Sequence, residues 1–288
     1  MNKQKNIVIK KILAPIVVLA FIATIFSGCT GPSVTTIKVN GSSTVFPIAN
    51  KCAEIFNTKD ANIKVEVGAP PVGSGGGIKL LGEGSIQIAD ASRPIKQSER
   101  DQYPNVDFYE TSIAADGVAI IVSAAIYDGG AGITGLTTDQ IRGIYNGTIT
   151  DWGEVGGPNG TTINVNERET GSGTRDTFMD AIFGDESAET QATQSWSSNS
   201  DVQNAVAGSS NAIGYAGLGY VSSSTPDITL NGIAATEANI IAGTYPISRS
   251  LYMYTNGQPT GNVKSYIDYI LSTEGQAIVA EEGFIPIQ

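Results

Sequence analysis

The sequence predicts an α/β protein built on mostly parallel sheets. Short β-type segments alternate with segments of helical periodicity along most of the chain, a pattern typical of strands joined by crossover helices. The run at residues 117–125 (GVAIIVSAA) is apolar nearly throughout, as expected of a strand covered on both faces. Four strand-to-helix junctions are rich in Gly, Ser and Thr, and they lie at residues 40–47, 72–79, 88–94 and 164–175. Ligands of open α/β sheets bind at such junctions.

The predicted elements follow one another in order. Strands are expected at residues 37–40, 63–67, 86–89, 117–125, 164–166, 212–216 and 251–254. Helices are expected around Cys52 and at residues 78–81, 136–145, 175–183, 201–207, 263–271 and 275–280. Cys52 shares one helical face with Ile48, Ile55 and Phe56, so we expect its thiol to be buried and inert.

Residues 1–28 are predicted to be an export signal. Lysines at the start precede an apolar run at 12–26, and Ser27-Gly28 lead into Cys29. The run is short for a membrane span, and the arrangement resembles a lipoprotein signal whose cysteine becomes lipidated. Residues 29–36 would then tether the protein to the outer face of the cell membrane. An uncleaved anchor helix is the alternative, and with either one the folded part faces outward.

Composition excludes several classes of function. The net charge of −11 argues against a nucleic-acid partner, because little basic surface is left to replace phosphate counterions. The chain contains no histidine, which excludes Ser-His-Asp hydrolysis and nearly all catalytic zinc sites. No cofactor is expected. Roughly 260 residues follow the signal, enough for two lobes.

The segment at 166–175 (NERETGSGTR) is typical of an oxyanion cradle. Its guanidinium, Arg168, can donate two parallel hydrogen bonds to a tetrahedral anion. Ser172, Gly173 and Thr174 open the next helix, whose free N–H groups and hydroxyls supply further donors or a helix cap. Arg175 is expected at the surface or behind the site.

The other junctions can contribute donors or have ordinary structural roles. The segment at 42–44 (SST) predicts either a helix cap or ligand contacts. The segment at 73–77 (GSGGG) lacks the GK[ST] ending of a nucleotide P-loop and predicts a turn at which a backbone can approach an anion. Arg93, which follows Ser92, could contact the anion or pair with Asp90 or Asp116. Arg249 is expected at the surface or behind the site.

Eight short motifs together resemble those of the periplasmic phosphate-binding proteins of ABC-type phosphate importers. Each motif alone is weak, but their number and order are specific, and they cover essentially the whole chain after the signal. They are GSSTVFP (41–47), GSGGG (73–77), ASR (91–93), AADGVA (114–119), IYNGTITDW (144–152), RETGSGT (168–174), NAIGY (211–215) and YPISR (245–249).

The resemblance implies a two-lobed type II periplasmic-binding-protein fold that closes on one phosphate. Lobe I would comprise residues 33–114 and 248–288, and lobe II residues 115–247. It also implies a monomer that delivers phosphate to a membrane permease without acting as an enzyme. The resemblance, together with the third junction, which adds Ser92 and Arg93, implies a set of phosphate ligands. They are Ser43, Thr44, Val45, Ser74, Ser92, Arg93, Arg168, Ser172, Gly173 and Thr174.

One departure from the family pattern leaves the anion's identity open. Some members carry an aspartate in the third junction that accepts the proton of phosphate, where this chain has Ser92-Arg93. Asp90 or Asp116 could serve as that acceptor or lie behind the site. Sulfate, molybdate or tungstate are the alternative ligands. A phosphomonoesterase with Ser172 as nucleophile is the alternative from another class, although it would lack a histidine base.

Overall fold

A sheet of ten strands organises the computed structural model, which describes residues 34–128 and 132–287. The strands are β1 (Thr35–Gly41), β2 (Ile63–Val67), β3 (Ile88–Ala91), β4 (Phe108–Val122), β5 (Gly135–Leu136), β6 (Asn164–Arg168), β7 (Gln194–Trp196), β8 (Ala212–Gly217), β9 (Asp227–Leu230) and β10 (Ser248–Asn256). The helices are α1 (Phe46–Phe56), α2 (Gly73–Gly82), α3 (Gln97–Gln102), α4 (Ala124–Asp128), α5 (Thr138–Tyr145), α6 (Gly173–Phe183), α7 (Asn199–Ala207), α8 (Glu237–Ile241), α9 (Gly261–Leu271) and α10 (Thr273–Glu281).

The sheet is mixed, and its antiparallel pairs all involve the two long strands. The main strand order is β2-β1-β3-β10-β4-β8-β6-β7, with β9 paired to β4 and β5. Five of the nine pairings are parallel, and the four antiparallel pairings involve β4 or β10. The predicted parallel pairing therefore holds among β2, β1 and β3 and among β8, β6 and β7. The long strands β4 and β10 join these two groups through antiparallel pairs.

The apolar core is divided in the way expected of a two-lobed protein. One large cluster lies around β1, α1 and α9, with a smaller cluster beside it between α2 and β3. The other large cluster lies around β8, α5 and α6, where Phe178 stacks on Tyr215 with ring centroids 4.0 Å apart. β4 contributes Ile113 and Ala114 to the first cluster and residues 118–122 to the other. A cleft between the lobes is the natural ligand site of this fold.

Two local predictions differ from the structure. The glycine run at 73–77 is not a turn before a helix but the first turns of α2. A Cβ on Gly77 would lie 2.7 Å from Gly41 Cα and 2.8 Å from Asn40 O, so glycine lets α2 lie directly on β1. The apolar run 117–125 ends as α4 instead of continuing as a strand, in keeping with the helix propensity of Ala124 and Ala125.

The prediction for Cys52 is confirmed, because its thiol is buried and unpaired on the inner face of α1. Burial raises the pKa of this thiol to about 12, so it stays protonated at neutral pH. Within residues 34–128 and 132–287, no helix is long and apolar enough to span a bilayer. The predicted signal and Cys29, with most of the tether, lie outside the described residues.

Candidate functional site

The junction between β1 and α1 presents a buried row of hydroxyl groups. Gly41 has a φ of +148°, and Ser42, Ser43 and Thr44 that follow it are all buried. Val45 is the first residue before α1, and no side chain of the described residues caps this helix end. The Thr44 hydroxyl is therefore not used for capping and is hydrogen-bonded at the cleft instead.

Arg168 is a buried cation at the carboxyl end of β6. Its Nε donates to the Trp196 carbonyl at 3.1 Å and its Nη2 to the Ser197 carbonyl at 2.8 Å. None of the ion pairs in the described part of the chain includes Arg168, which is only 1% exposed. Burial lowers the pKa of its guanidinium to about 10. A buried guanidinium without a carboxylate is a site where an anion would be strongly stabilised.

The two predicted halves of the site meet in the structure. The Thr44 and Thr174 hydroxyl oxygens are 3.1 Å apart across the cleft. A Cβ on Gly173 would lie 2.5 Å from Ser74 Oγ and 2.6 Å from Ser92 Oγ, so the start of α6 lies directly on both serines. The structure thus brings together hydroxyls from four separate junctions.

Ser172 has the capping role that its position suggests. Its Oγ accepts the Arg175 backbone N–H at 3.2 Å, which satisfies one free donor at the start of α6. Arg175 itself lies partly buried, 3.6 Å from Glu167 through Nε. The helix start therefore still offers the other free N–H groups of its first turn as donors.

Arg93 makes contacts other than those predicted. Its guanidinium pairs with Glu99 at 2.7 and 2.8 Å, and its Nε donates to Asp176 Oδ2 at 2.7 Å. It does not pair with Asp90 or Asp116. Burial alone would lower the pKa of Arg93, but Glu99 and Asp176 outweigh burial and raise it. Arg93 thus joins the two sides of the cleft and has its charge already compensated.

The two candidate proton acceptors lie in different environments. Asp116 Oδ2 accepts from Arg249 Nε and Nη2 at 2.9 and 2.7 Å, and its Oδ1 accepts from the Leu218 backbone at 2.9 Å. Both Asp90 carboxyl oxygens are buried without a hydrogen-bond partner among the described residues. Burial raises the pKa of Asp90 well above its usual value, because a charged carboxylate is disfavoured away from water.

Two residues contact the cleft hydroxyls that the sequence analysis did not place there. Arg249 was expected at the surface or behind the site, and Asn199 was not predicted at all. Arg249 is buried and donates to Thr174 Oγ1 through Nη1 and to Thr44 Oγ1 through Nη2, both at 3.1 Å. Asn199 donates through Nδ2 to Thr44 Oγ1 at 2.8 Å. Arg249 could have been found from the sequence, because it is the last residue of the YPISR motif. Asn199 could not, because it follows β7, a three-residue strand that the sequence pattern does not reveal.

Comparison with known proteins agrees with this fold. A family model described as a PBP superfamily domain matches residues 29–274. The phosphate-binding protein PstS of Bacillus subtilis (strain 168) is 31% identical over 257 residues, covering 88% of this chain and 81% of the relative. The phosphate-binding protein PstS of Borreliella burgdorferi is 32% identical over 264 residues, covering 88% of this chain and 90% of the relative.

A solved structure gives the same result in three dimensions. It is a crystal structure from Clostridium perfringens, described as a phosphate ABC transporter substrate-binding protein with bound phosphate. It superposes with a TM-score of 0.80 at 35% identity, covering 88% of this chain and 100% of that one. This chain belongs to the PBP superfamily and, within it, to the family of the PstS phosphate-binding proteins.

Proposed function

We propose that this chain is an extracytoplasmic receptor that captures inorganic phosphate in the cleft between its lobes. It would then deliver the anion to an ABC-type permease in the membrane. Family membership supports this function, and the observation that carries it is the buried guanidinium of Arg168, which makes no ion pair among the described residues. It donates to the Ser197 carbonyl, two residues before the Asn199 side chain that donates to Thr44. An anion that enters the cleft would supply the missing negative charge.

The proposed ligand set is shared between the two sides of the cleft. One side would donate the hydroxyls of Ser43, Thr44, Ser74 and Ser92 and the backbone N–H of Val45. The other would supply charge from Arg168 and donors from Ser172, Gly173 and Thr174. Because Arg93 is paired with Glu99 and Asp176, we assign it a supporting role rather than direct contact.

The lobes would close by hinge bending. We place lobe I at residues 33–114 and 248–288 and lobe II at 115–247, with the hinge where β4 and β10 run side by side. The division of the apolar core supports this assignment. Closure on the anion would bring both sets of donors to it and would present one surface to the permease.

We expect binding without turnover. The relatives named above are binding proteins, and the chain contains no histidine that could act as a general base. The Ser172 hydroxyl accepts the Arg175 N–H, as a helix cap does. Hydrolysis of an aryl phosphate that is lost on Ser172→Ala would support the esterase alternative instead.

The receptor is proposed to act as a monomer, attached to the membrane by lipid on Cys29. The sequence before Cys29 supports this attachment, since it resembles a lipoprotein signal. Mass spectrometry of the protein extracted from membranes would detect a diacylated N-terminal cysteine. A mature protein without added acyl mass would contradict lipidation but not phosphate binding.

The binding function is tested by calorimetry of the wild type and Arg168→Gln with phosphate, sulfate and molybdate. The wild type should bind phosphate. The variant should lose at least about a hundredfold in affinity, because the glutamine side chain carries no charge and cannot replace the hydrogen bonds of the guanidinium to the anion. The matched control is Arg142→Gln, which removes a guanidinium that lies on α5 and pairs with Asp139. Unchanged phosphate affinity in Arg168→Gln would contradict the proposed site.

A further inference from the structure

Phosphate differs from sulfate by a proton that needs an acceptor in a closed site. A cleft that contains only donors would bind an unprotonated oxyanion equally well. The first carboxylate candidate, Asp116, already receives three hydrogen bonds from Arg249 and the Leu218 backbone. The second, Asp90, is fully buried, and burial raises the pKa of its carboxyl well above the usual value, which disfavours the charged form that would accept a ligand proton most strongly.

Asn199 has a free acceptor at the contact between the lobes. It is fully buried at the start of α7, and its Nδ2 donates to Thr44 Oγ1 at 2.8 Å and to Ser43 Oγ at 3.3 Å. Its carbonyl oxygen, Oδ1, has no hydrogen-bond partner among the described residues and is itself buried. Such an oxygen is costly to leave unpaired, which makes it a strong acceptor for a ligand proton.

The location of this oxygen matches the proposed anion site. Thr44, which receives the amide N–H of Asn199, also lies 3.1 Å from Thr174 on the opposite side of the cleft. The two ends of a carboxamide are about 2.2 Å apart by standard covalent geometry. Oδ1 therefore lies within about 5 Å of the Thr44 hydroxyl oxygen, close enough for one tetrahedral anion to contact both.

We infer that Asn199 determines specificity in this receptor, its Oδ1 accepting the proton of phosphate while its Nδ2 holds the Thr44 hydroxyl. This inference rests on the proposed function. The uncharged amide would supply the acceptor that a cleft of donors lacks. It rejects sulfate because an unprotonated oxygen would face a carbonyl oxygen with no hydrogen between them.

The test compares the dissociation constants of phosphate and sulfate by calorimetry at pH 7. Asn199→Leu has a similar volume and no acceptor, so the sulfate-to-phosphate ratio of constants should fall by about tenfold or more, the equivalent of one hydrogen bond to a charged partner. Asn199→Asp keeps an acceptor and should preserve or increase the ratio. Asn204→Asp, on the exposed part of the same helix, is the charge control and should leave the ratio unchanged.

Several outcomes would overturn the inference. Equal weakening of phosphate and sulfate in Asn199→Leu would mean that Asn199 only positions Thr44. A lower ratio in Asn199→Asp would mean that no acceptor is needed there. If Asn199→Leu does not fold, Asn199→Ala and Asp90→Asn decide: the ratio should fall in the former and stay unchanged in the latter. A wild type that binds no phosphate would instead contradict the proposed function itself.

Discussion

Arg93 and Asp176 form a buried ion pair across the cleft, with 2.7 Å between Nε and Oδ2. Arg93 follows β3 and Asp176 lies in the first turn of α6, so the pair joins elements that pack in different core clusters. Lys96 adds a second cation at 2.8 Å from the same carboxylate oxygen and reaches Glu186 at 2.7 Å. These charges would separate if the lobes moved apart, so they favour the closed form.

Asp176→Asn should therefore weaken phosphate binding without removing any ligand contact. A buried pair that loses one partner is strongly destabilised, but Arg93 keeps Glu99, so we expect a loss of about tenfold in affinity. Most of the loss should appear as faster phosphate release in stopped-flow experiments, because fewer molecules remain closed. Asp180→Asn, exposed on the same helix, is the control. Equal affinity in both variants would show that the ion pair does not favour closure.

Arg249→Lys should disturb the site although it keeps the positive charge. The guanidinium of Arg249 reaches Asp116, Thr44 and Thr174 at once, and a lysine ammonium cannot reproduce this planar fork. We expect phosphate affinity to fall by about tenfold and the unfolding free energy to fall by about 1 to 2 kcal/mol. Calorimetry and urea unfolding would measure these changes, with Arg142→Lys as the control. An affinity within twofold of the wild type would contradict this role.

The sequence predicted most of the longer elements and the hydroxyl junctions because both are local features. It did not predict the short elements, which are α3, α8, β5, β7 and β9. Helix periodicity, the Ser-Gly-Thr start of α6 and the buried Cys52 each depend on residues close together in the chain. The partners of the charged groups could not be predicted in this way. Arg249 lies 133 residues from Asp116, and their contact depends on the register between β10 and β4.

The role of the glycines in the site was also only partly visible in the sequence. The run at 73–77 suggests backbone flexibility, yet in the structure it forms a helix whose Gly77 allows close contact with β1. Whether a glycine permits a turn or a close approach depends on what packs against it. That information comes from the tertiary fold, as it does for the pairing of Arg93 with Asp176.

Asp90→Asn should change how stability depends on pH. Because burial raises the pKa of Asp90, the native state keeps a proton that the unfolded state releases above the usual aspartate pKa. As the pH rises, this difference in pKa lowers the unfolding free energy of the wild type by up to about 1.4 kcal/mol per pH unit. The decrease ends when the pH reaches the pKa of Asp90 in the native state. The variant lacks this contribution, so its stability relative to the wild type should increase from pH 5 to pH 8.

Urea unfolding without phosphate at pH 5, 6, 7 and 8 would measure this difference. Asp101→Asn, at an exposed position on α3, is the control and should differ from the wild type by a nearly constant amount. A constant difference for Asp90→Asn as well would show that Asp90 is ionised in the native state. Burial of Asp90 on β3 would then not be enough to keep its carboxyl protonated.

Gly173→Ala should separate binding from folding. The new methyl group would lie 2.5 Å from Ser74 Oγ and 2.6 Å from Ser92 Oγ, so both hydroxyls would have to rotate away or the cleft would have to stay partly open. Rotation would cost the hydrogen bond from the Ser92 N–H to Ser74 Oγ, and either response removes donors from the anion, so we expect at least about a tenfold loss of phosphate affinity. Alanine is a better helix former than glycine, but the lost hydrogen bond acts in the opposite direction, so the unfolding free energy should change by less than about 1 kcal/mol. Gly208→Ala, where the methyl group would meet only the last turn of α7 at 3.2 Å, is the matched control for calorimetry and urea unfolding. Full phosphate affinity in Gly173→Ala would mean that the bound form is more open at this contact than the structure shows.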